Sequence, residues 1–518
     1  MPKRTRRYRV VAIAAAVSLA ACSGRSPVAS TTPTTSALAT SAPTTAGVPT
    51  TDAAPATTVA AGQAPDTTIA AQPTAPTAAT FAVRPAVVDT CPTTDGGLTC
   101  WKVTVPVDYT KPNGKTIDIA VAGSRADPTK WTSPILRSGE AFNFVDWTGT
   151  VAAPIPGHDW IIIDHRGTGR SAPLGLCPGL ERDGAAISTG PIEATLAGLI
   201  NTCVQAAVGG ELPLASVIDN NVAARDASAV RQALGIDRWG ISNSSDALDV
   251  GLRLVALEPD HVTGLLSNVP AVAGEGPTAA KSAEAFAAFA ADCAAVASCA
   301  SIGDMNIVLT KDLERLRPDG SMTTTANPGV AGKFIVLTES GLARGIEVAI
   351  GTPSLAGAVP GLLAGGLDGG SDNLIAGYFI SQTAAPSAYN IAANCQQVGL
   401  LQHPMSEWSS ASAGPFGAIS FKALCDAAGP VPQLPAAPPV SANIPVLVFL
   451  PAYATSSSRE SAARIFKGFP STTTVFAPGL SDASQVPCFN TVRASFFDDP
   501  TKPVDTTCIS DAPKRTFG

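Results

Sequence analysis

The stretch WGISNSSDAL, residues 239–248, decides the fold. An apolar strand pattern is followed by small polar residues and then by a helical pattern that ends before Pro259. A serine at such a turn is the arrangement of a nucleophile elbow, in which a strained backbone exposes the hydroxyl. Two serines compete for that place. Gly240-Ile241-Ser242 looks like the start of Gly-x-Ser-x-Gly, and Ser245 lies three residues later, but neither serine has both flanking glycines.

The strand–helix alternation continues on both sides of this stretch. Strands are predicted at 101–109, 115–126, 133–137, 160–164, 239–243, 263–269, 444–450 and 472–477, and helices at 221–235, 245–258, 457–467 and 488–498. The first two strands form a pair that turns at Pro112-Asn113-Gly114. Residues 275–440 lack the alternation and are mostly helical in pattern. The sequence therefore predicts an α/β fold, with a mostly parallel central sheet, helices on both faces and a late helical cap. The predicted core is 85–274 with 441–518, and the cap is 275–440.

The amino terminus has the pattern of a bacterial lipoprotein signal. A basic segment at 3–9 precedes an apolar run at 10–20, which is too short to span a membrane, and small residues lead to Cys22. Residues 1–21 are the predicted signal peptide, and Cys22 is the predicted lipidated residue. The alternative is a plain secretory signal without lipidation. Because Thr5-Arg6-Arg7 contains an arginine pair, the export route stays open between Sec and twin-arginine transport. Residues 22–84, rich in Thr, Ala and Pro, form a predicted tether. The predicted location is the outer face of the cell membrane, held by lipid alone.

Charge and cysteine content narrow the functional classes. The net charge is −7 with no basic cluster after residue 9, which excludes nucleic acid as an expected partner.

Besides Cys22 there are ten cysteines, an even number that suits disulfides in an exported chain. Their spacing favours neighbours in sequence: Cys91–Cys100, Cys177–Cys203, Cys293–Cys299, Cys395–Cys425 and Cys488–Cys508. Free thiols or metal ligands are the alternative. Because no Cys-x-x-Cys occurs and the histidines lie apart from the cysteines, neither a metal nor a cofactor is expected.

Several motifs carry a resemblance to a known family. TVPVDYTKP (104–112), IIIDHRGTGRS (161–171), AARDASAVRQALG (223–235), ADCAAVASCA (291–300), IPVLVFLP (444–451) and DDPTKPVDTTCISDAP (498–513) resemble α/β-hydrolases of the secreted tripeptidyl-aminopeptidase-like group, which is related to prolyl aminopeptidases. The resemblance covers about 85–518. It implies an exported serine hydrolase that releases short peptides or proline from peptide N-termini, using Ser, Asp and His in that chain order with backbone oxyanion donors.

The resemblance selects Ser245 as the nucleophile position. With Trp239 and Pro259-Asp260-His261-Val262 matched to the family's strand start and post-helix sequence, the nucleophile falls on Ser245 without a gap. The elbow then reads Asn243-Ser244-Ser245-Asp246-Ala247. Asn243 brings a branched polar side chain into a turn that normally holds glycine, and Asp246 brings negative charge to the residue whose N–H should hold the oxyanion. The alternative role for Ser245 is that of a surface serine capping the next helix.

The remaining catalytic positions depart from the family. The oxyanion loop, Gly-Gly-Pro-Gly in the family, reads RSGEAF at 137–142, with Glu140 adding negative charge. The acid position falls on Ala454 and the histidine position on Asp482. The chain's four histidines match no catalytic place: His158, His165, His261 and His403. A carboxylate at Asp482 could accept a proton, but an ordinary pKa near 4 suits a general base poorly.

Three functions fit these observations. The sequence favours a catalytically inactive hydrolase fold at the cell envelope, which binds a peptide or a small apolar ligand in a cleft between sheet and cap. The second is an active hydrolase with altered machinery centred on Ser245, with Asp482 or a cap residue assisting. The third is a structural lipoprotein in which the cleft is filled. The sequence leaves the ligand and the oligomeric state open.

Overall fold

The computed structural model describes residues 81–91, 98–138, 155–172, 174, 177, 194–245, 247–272, 279–316, 322–323, 336–337, 339–365, 388–400, 422–434, 439–512 and 517. Several sequence predictions lie outside these residues: the signal peptide, Cys22, the tether as far as residue 80, Gly139 to Phe142 of the oxyanion loop, Asp246 and His403. Of the tether, only 81–84 are described. There the Phe81 ring packs edge-on against Tyr109, with the ring centroids 6.4 Å apart.

A single large sheet organises the described part of the chain. Its nine strands are β1 (Val87–Asp89), β2 (Thr99–Pro106), β3 (Thr116–Ser124), β4 (Ile135–Ser138), β5 (Trp160–Ile163), β6 (Trp239–Ser244), β7 (Val262–Asn268), β10 (Val446–Pro451) and β11 (Thr472–Ala477). They lie side by side in the order β1-β2-β3-β5-β4-β6-β7-β10-β11. The pairs from β1 to β5 are antiparallel, and every pair from β5 to β11 is parallel. The predicted mostly parallel α/β sheet is confirmed.

Helices cover both faces of this sheet. They are α3 (Asn220–Ala233), α4 (Ala247–Leu257), α13 (Arg459–Ile465), α14 (Phe489–Asp498) and α15 (Thr507–Ser510). Two further helices, α1 (Ala194–Val208) and α2 (Leu214–Ile218), pack instead with helices at 388–400 and 422–428. Side chains of a strand alternate between its two faces. Leu265 of β7 accordingly joins the apolar cluster under α3 and α4. Its neighbour Leu266 joins a second cluster, which contains Phe489 and Phe497 of α14.

The segment between β7 and β10 adds no strand to the large sheet among its described residues. Its helices are α5 (Ala279–Ala294), α6 (Ala297–Ala300), α7 (Met305–Leu316), α8 (Glu339–Gly351), α9 (Pro353–Ala356), α10 (Val359–Gly365), α11 (Ala388–Leu400) and α12 (Lys422–Ala428). We call α5 to α12 the helical insert. A two-stranded ribbon, β8 (Met322–Thr323) with β9 (Val336–Leu337), was not predicted. Helices α5 to α10 share an apolar core of their own, which Tyr453 and Phe517 join from outside the insert.

Buried ion pairs hold the loop after β5 against the sheet. Arg166 forms a two-pronged pair with Asp226 of α3, at 2.7 Å and 2.6 Å, and Tyr109 donates a third hydrogen bond to the same carboxylate at 2.8 Å. Gly167 and Gly169 of this loop have φ values of +78° and +50°, in the left-handed region that glycine adopts without strain. These contacts give the Asp-His-Arg-Gly stretch a structural role that is independent of catalysis.

Five disulfides join the cysteine pairs that the spacing favoured, with Cα–Cα distances between 5.2 and 6.6 Å. These distances lie in the usual disulfide range. One bridge joins β2 to the residues after β1, one joins α1 to Cys177, two lie within the insert, and one joins the start of α14 to α15. Across the part of the chain that the structure describes, no helix combines the length and apolar character needed to cross a membrane.

Candidate functional site

The stretch quoted at the outset folds as a strand, a sharp turn and a helix. Strand β6 ends at Ser244 and α4 begins at Ala247. Between them Ser245 has φ +52°, a left-handed conformation that costs a residue with a side chain about 1–2 kcal/mol. Its N–H donates to the carbonyl of Asn268 at the end of β7, at 3.0 Å. Ser242, in contrast, is a buried residue inside β6. The structure thus places Ser245, and not Ser242, at the turn.

Two observations identify the fold: the strand order of the sheet, and a strained serine between a central parallel strand and the following helix. The chain has the α/β-hydrolase fold.

Comparison with known proteins returns distant matches. No protein-family model matches the chain, and no curated protein matches it. Among solved structures, proline iminopeptidase from Mycobacterium smegmatis is 14% identical over 77% of this chain and 97% of its own, with a TM-score of 0.35. MGS-M2, an α/β-hydrolase from a Medee basin deep-sea metagenome library, is 11% identical over 75% of this chain and 96% of its own, with a TM-score of 0.34. We draw no inference about substrate from similarity of this degree.

Asn243, which replaces the first elbow glycine, is accommodated by a glycine elsewhere. The Asn243 side chain is buried and points toward α4, where a Cβ atom added to Gly251 would lie 1.9 Å from Nδ2 of Asn243. The Asn243 side chain therefore occupies the space that a side chain at position 251 would need. Ala247, at the second elbow glycine, is also buried. The elbow keeps its shape because α4 lacks a side chain where Asn243 needs room.

Asp482, at the predicted histidine position, has a structural task. Its Oδ1 atom accepts hydrogen bonds from Nδ2 of Asn268 at 2.7 Å and from the N–H of Ser484 at 2.6 Å. The second bond caps a short 3-10 helix, Ala483–Gln485. The Oδ1 atom of Asn268 in turn accepts a hydrogen bond from the N–H of Ala483, the next residue after Asp482, at 3.3 Å. Asn268 therefore connects Asp482 to the elbow, through its side chain on one side and its carbonyl on the other.

The acid position lies in the turn after β10. Ala454 is buried there and offers a methyl group where the resemblance implies an aspartate. Its neighbour Tyr453 is also buried, and the Tyr453 hydroxyl donates to the carboxylate of Asp292 on α5 at 2.6 Å. The Tyr453 ring packs edge-on against Phe289 of α5, with the centroids 5.4 Å apart. This turn therefore fastens the helical insert to the sheet, and sequence reasoning missed the tyrosine that does so.

The three described histidines are held away from the elbow turn. The ring nitrogens of His158 face the carbonyls of Ser133 at 3.1 Å and Ala494 at 3.2 Å. Nε2 of His165 contacts the carbonyl of Val217, and Nδ1 of His261 faces the carbonyl of Asp237 at 2.7 Å. Burial is the largest influence on His165 and lowers its pKa, although the contact with Val217 acts in the opposite direction. Within the described residues, no histidine contacts Ser245.

The Ser245 hydroxyl makes no hydrogen bond within the described part of the chain, so it neither caps α4 nor meets a base. The loop expected to hold the oxyanion begins inside β4, which contains Arg137 and Ser138. A serine hydroxyl without a neighbouring base is a weak nucleophile at neutral pH. What the described site offers is a strained turn and an amide–carboxylate pair.

A second strained residue lies beside the elbow. Val269 follows β7 directly, has φ +55° and is buried, and its N–H donates to the carbonyl of Phe449 at 3.1 Å. A left-handed backbone is a genuine outlier for a β-branched residue. Strain of this kind persists where the surrounding structure fixes it, and it concentrates at functional sites. Sequence reasoning missed both Val269 and Asn268, although the predicted strand 263–269 ended at them.

Proposed function

We propose that this chain is a binding protein built on the α/β-hydrolase fold, and that it has lost peptidase activity. One observation carries the proposal: the Ser245 hydroxyl makes no hydrogen bond to any residue that the structure describes, while the Asp482 carboxylate accepts hydrogen bonds from Asn268 and Ser484. A general base must reach the proton that it removes. Asp482, at the base position, already accepts hydrogen bonds from neighbouring donors. The acid position holds Ala454, which has no carboxylate.

The proposed setting is the outer face of the cell membrane, with the chain anchored through Cys22. The pattern of residues 1–22 supports export and lipidation, and the five disulfides suit an oxidising compartment. The resemblance to tripeptidyl-aminopeptidase-like hydrolases supports a peptide as ligand. The ligand site would lie at the carboxyl ends of β6 and β7, where open parallel sheets bind ligands. The proposed ligand is a peptide or a small apolar molecule.

Labelling with a fluorophosphonate probe tests the loss of chemistry. The probe forms a covalent bond with activated serine hydroxyls, so the full chain should remain unlabelled under conditions in which an active serine hydrolase in the same sample is labelled. Circular dichroism and disulfide mapping of the same preparation show that the protein is folded. Labelling at Ser245, lost in Ser245→Ala, would contradict the proposal.

An active hydrolase centred on Ser245 and Asp482 is the second candidate. It is favoured by the strained turn at Ser245 and by Asn268, which bonds to both residues. The variant Asp482→Asn separates the candidates. An asparagine oxygen can still accept from Asn268 and Ser484 but cannot take up a proton at neutral pH. Turnover of peptide or ester substrates by the wild type, abolished in Asp482→Asn while the melting temperature is unchanged, would favour the hydrolase.

A further inference from the structure

Two arginines meet on the face of the sheet that α14 covers. Helix α14 runs antiparallel to the parallel strands: Phe489 packs on Phe449 near the strand ends, and a Cβ added to Gly240 at the start of β6 would meet the Phe497 ring at 2.5 Å. Arg493 precedes Phe497 by one helical turn, about 6 Å. Ser242 follows Gly240 by two residues on the same face of β6, about 6.6 Å further along. Arg493 is therefore at about the level of Ser242 along the strands, and its guanidinium carbon lies 5.5 Å from the centre of the Phe489 ring.

Arg137 reaches the same place from the neighbouring strand. It pairs with Ser242 in the register of β4 and β6. It shares a strand face with Ile135, a member of the apolar cluster that contains Phe489 and Phe497. Its guanidinium carbon lies 5.5 Å from the centre of the Trp160 ring on the adjoining strand. Ser242, which the sequence offered as a false elbow serine, thus lies next to Arg137 on the strand surface that α14 covers.

The Arg493 guanidinium is buried and incompletely paired. Arg493 is 6% exposed, and its Nη2 atom donates to Oδ1 of Asn490 at 2.6 Å. Its Nε–H has no hydrogen-bond partner, and no carboxylate pairs with this side chain among the residues that the structure describes. Other buried arginines in this chain are satisfied by carboxylates: Arg166 pairs with Asp226, and Arg231 with Glu258. A buried charged donor without an acceptor is costly.

The electrostatic setting points in the same direction. Burial, and then the charge of Arg137, lower the pKa of Arg493 to about 9, and burial lowers the pKa of Arg137 to about 10. At neutral pH both guanidinium groups are charged. Two cations in a partly dry layer attract an anion, and a flat carboxylate accepts two parallel hydrogen bonds from a guanidinium fork.

We propose that Arg137, Ser242 and Arg493 form an anion subsite that binds the carboxylate group of a small ligand. Arg493 donates from Nε, Arg137 supplies the second positive charge, and the Ser242 hydroxyl contributes a neutral donor. The subsite uses none of the residues at the three catalytic positions. Its existence is therefore independent of whether Ser245 reacts, and it goes beyond the binding role proposed above.

Thermal unfolding of the full chain in matched salts tests the subsite. Sodium acetate and sodium chloride are compared at equal ionic strength and pH 7. The wild type should melt at a higher temperature in acetate, because a ligand that binds only the folded state stabilises it by mass action. Arg493→Gln should weaken the acetate response at least about tenfold in apparent affinity, Arg137→Gln should weaken it as well, and Ser242→Ala should weaken it less. Arg459→Gln, at an exposed arginine that stacks on Phe476, should leave the response unchanged.

Three outcomes would overturn the proposal. The first is an equal effect of acetate and chloride on the wild type. The second is an undiminished acetate response in Arg493→Gln or, should that variant not fold, in Arg493→Lys, which keeps the charge but lacks the fork. The third is a response that appears only after Glu140→Gln, since the site would then serve a carboxylate of the chain itself. A stronger response to phosphate than to acetate would overturn the assignment to a carboxylate.

Discussion

Asn243 occupies the space that a side chain at position 251 would need: a Cβ on Gly251 would lie 1.9 Å from Nδ2 of Asn243. In the elbow pattern a glycine stands two residues before the nucleophile. In this chain the strand carries the side chain and the helix has the glycine. The effect on stability of a substitution at position 243 should therefore depend on which residue is present at position 251, and the reverse should also hold.

Gly251→Ala should destabilise the protein by about 1–3 kcal/mol, because the added methyl group overpacks against Asn243. In an Asn243→Gly background the clash is gone, and the same substitution should be neutral or stabilising because alanine favours the helix. Urea unfolding of the four proteins in a double-mutant cycle measures the coupling. Additivity within about 0.5 kcal/mol would show that the two side-chain positions do not compete for space.

Ser245→Gly should raise the free energy of unfolding by about 0.5–1 kcal/mol, because glycine adopts φ +52° without strain but has more freedom in the unfolded chain. The matched control is Ser242→Gly, three residues earlier and inside β6, where φ is not positive. That substitution should lower the free energy of unfolding by a similar amount. Chemical denaturation of both variants checks the contrast. A loss of stability in Ser245→Gly equal to that of the control would mean that the turn stores no strain.

Asp482→Ala should cost about 1–2 kcal/mol of stability, because it removes the cap of the short helix Ala483–Gln485 and the acceptor of Asn268. Asp482→Asn keeps an oxygen in the same place and should cost less than half as much. Denaturant midpoints of the two variants give the comparison. Equal losses would show that the negative charge, and not the acceptor geometry, holds this loop.

The unfolding free energy should fall as the pH drops below about 6.5, in part because of His165. Burial lowers the pKa of His165 in the folded protein, so the folded state keeps the ring neutral while the unfolded chain takes up a proton. This contribution is present above pH 6.5 and decreases toward acid, by at most about 1.4 kcal/mol per pH unit. His165→Gln should flatten the dependence between pH 7 and pH 5, and His261→Gln, at an exposed histidine, should not. An unchanged slope in His165→Gln would refute the assignment.

Sequence patterns predicted the sheet well because its central strands are short apolar runs bounded by polar turns. WIII at 160–163 and VLVFLP at 446–451 are buried along their whole length, as predicted for parallel strands. The edge strand β1 was missed because Val87-Val88-Asp89 is three residues long and mostly exposed. The ribbon of β8 and β9 was missed for a similar reason: strands of two residues have no periodicity to detect.

At the site, register reasoning selected Ser245, Ala454 and Asp482 as the catalytic positions, and of these the structure places Ser245 at the turn between β6 and α4. Register reasoning did not give the contacts of these residues. Asn268 and Gly251 became relevant only in three dimensions, where they lie against Asp482 and Asn243. Their sequence neighbourhoods carry no motif. A pairing across about 214 residues, such as Asn268 with Asp482, depends on strand order, which a single sequence does not encode locally.

The bonds of Asp482 also bear on how this chain can evolve. A single substitution that restored histidine at 482 would remove the acceptor for Asn268 and for the N–H of Ser484 at once. It would find no aspartate at 454 to orient the new ring. Asp482→His alone should therefore lower stability and leave the new ring without an orienting carboxylate. A His–Asp pair at these two positions needs at least two coordinated changes, at 482 and at 454.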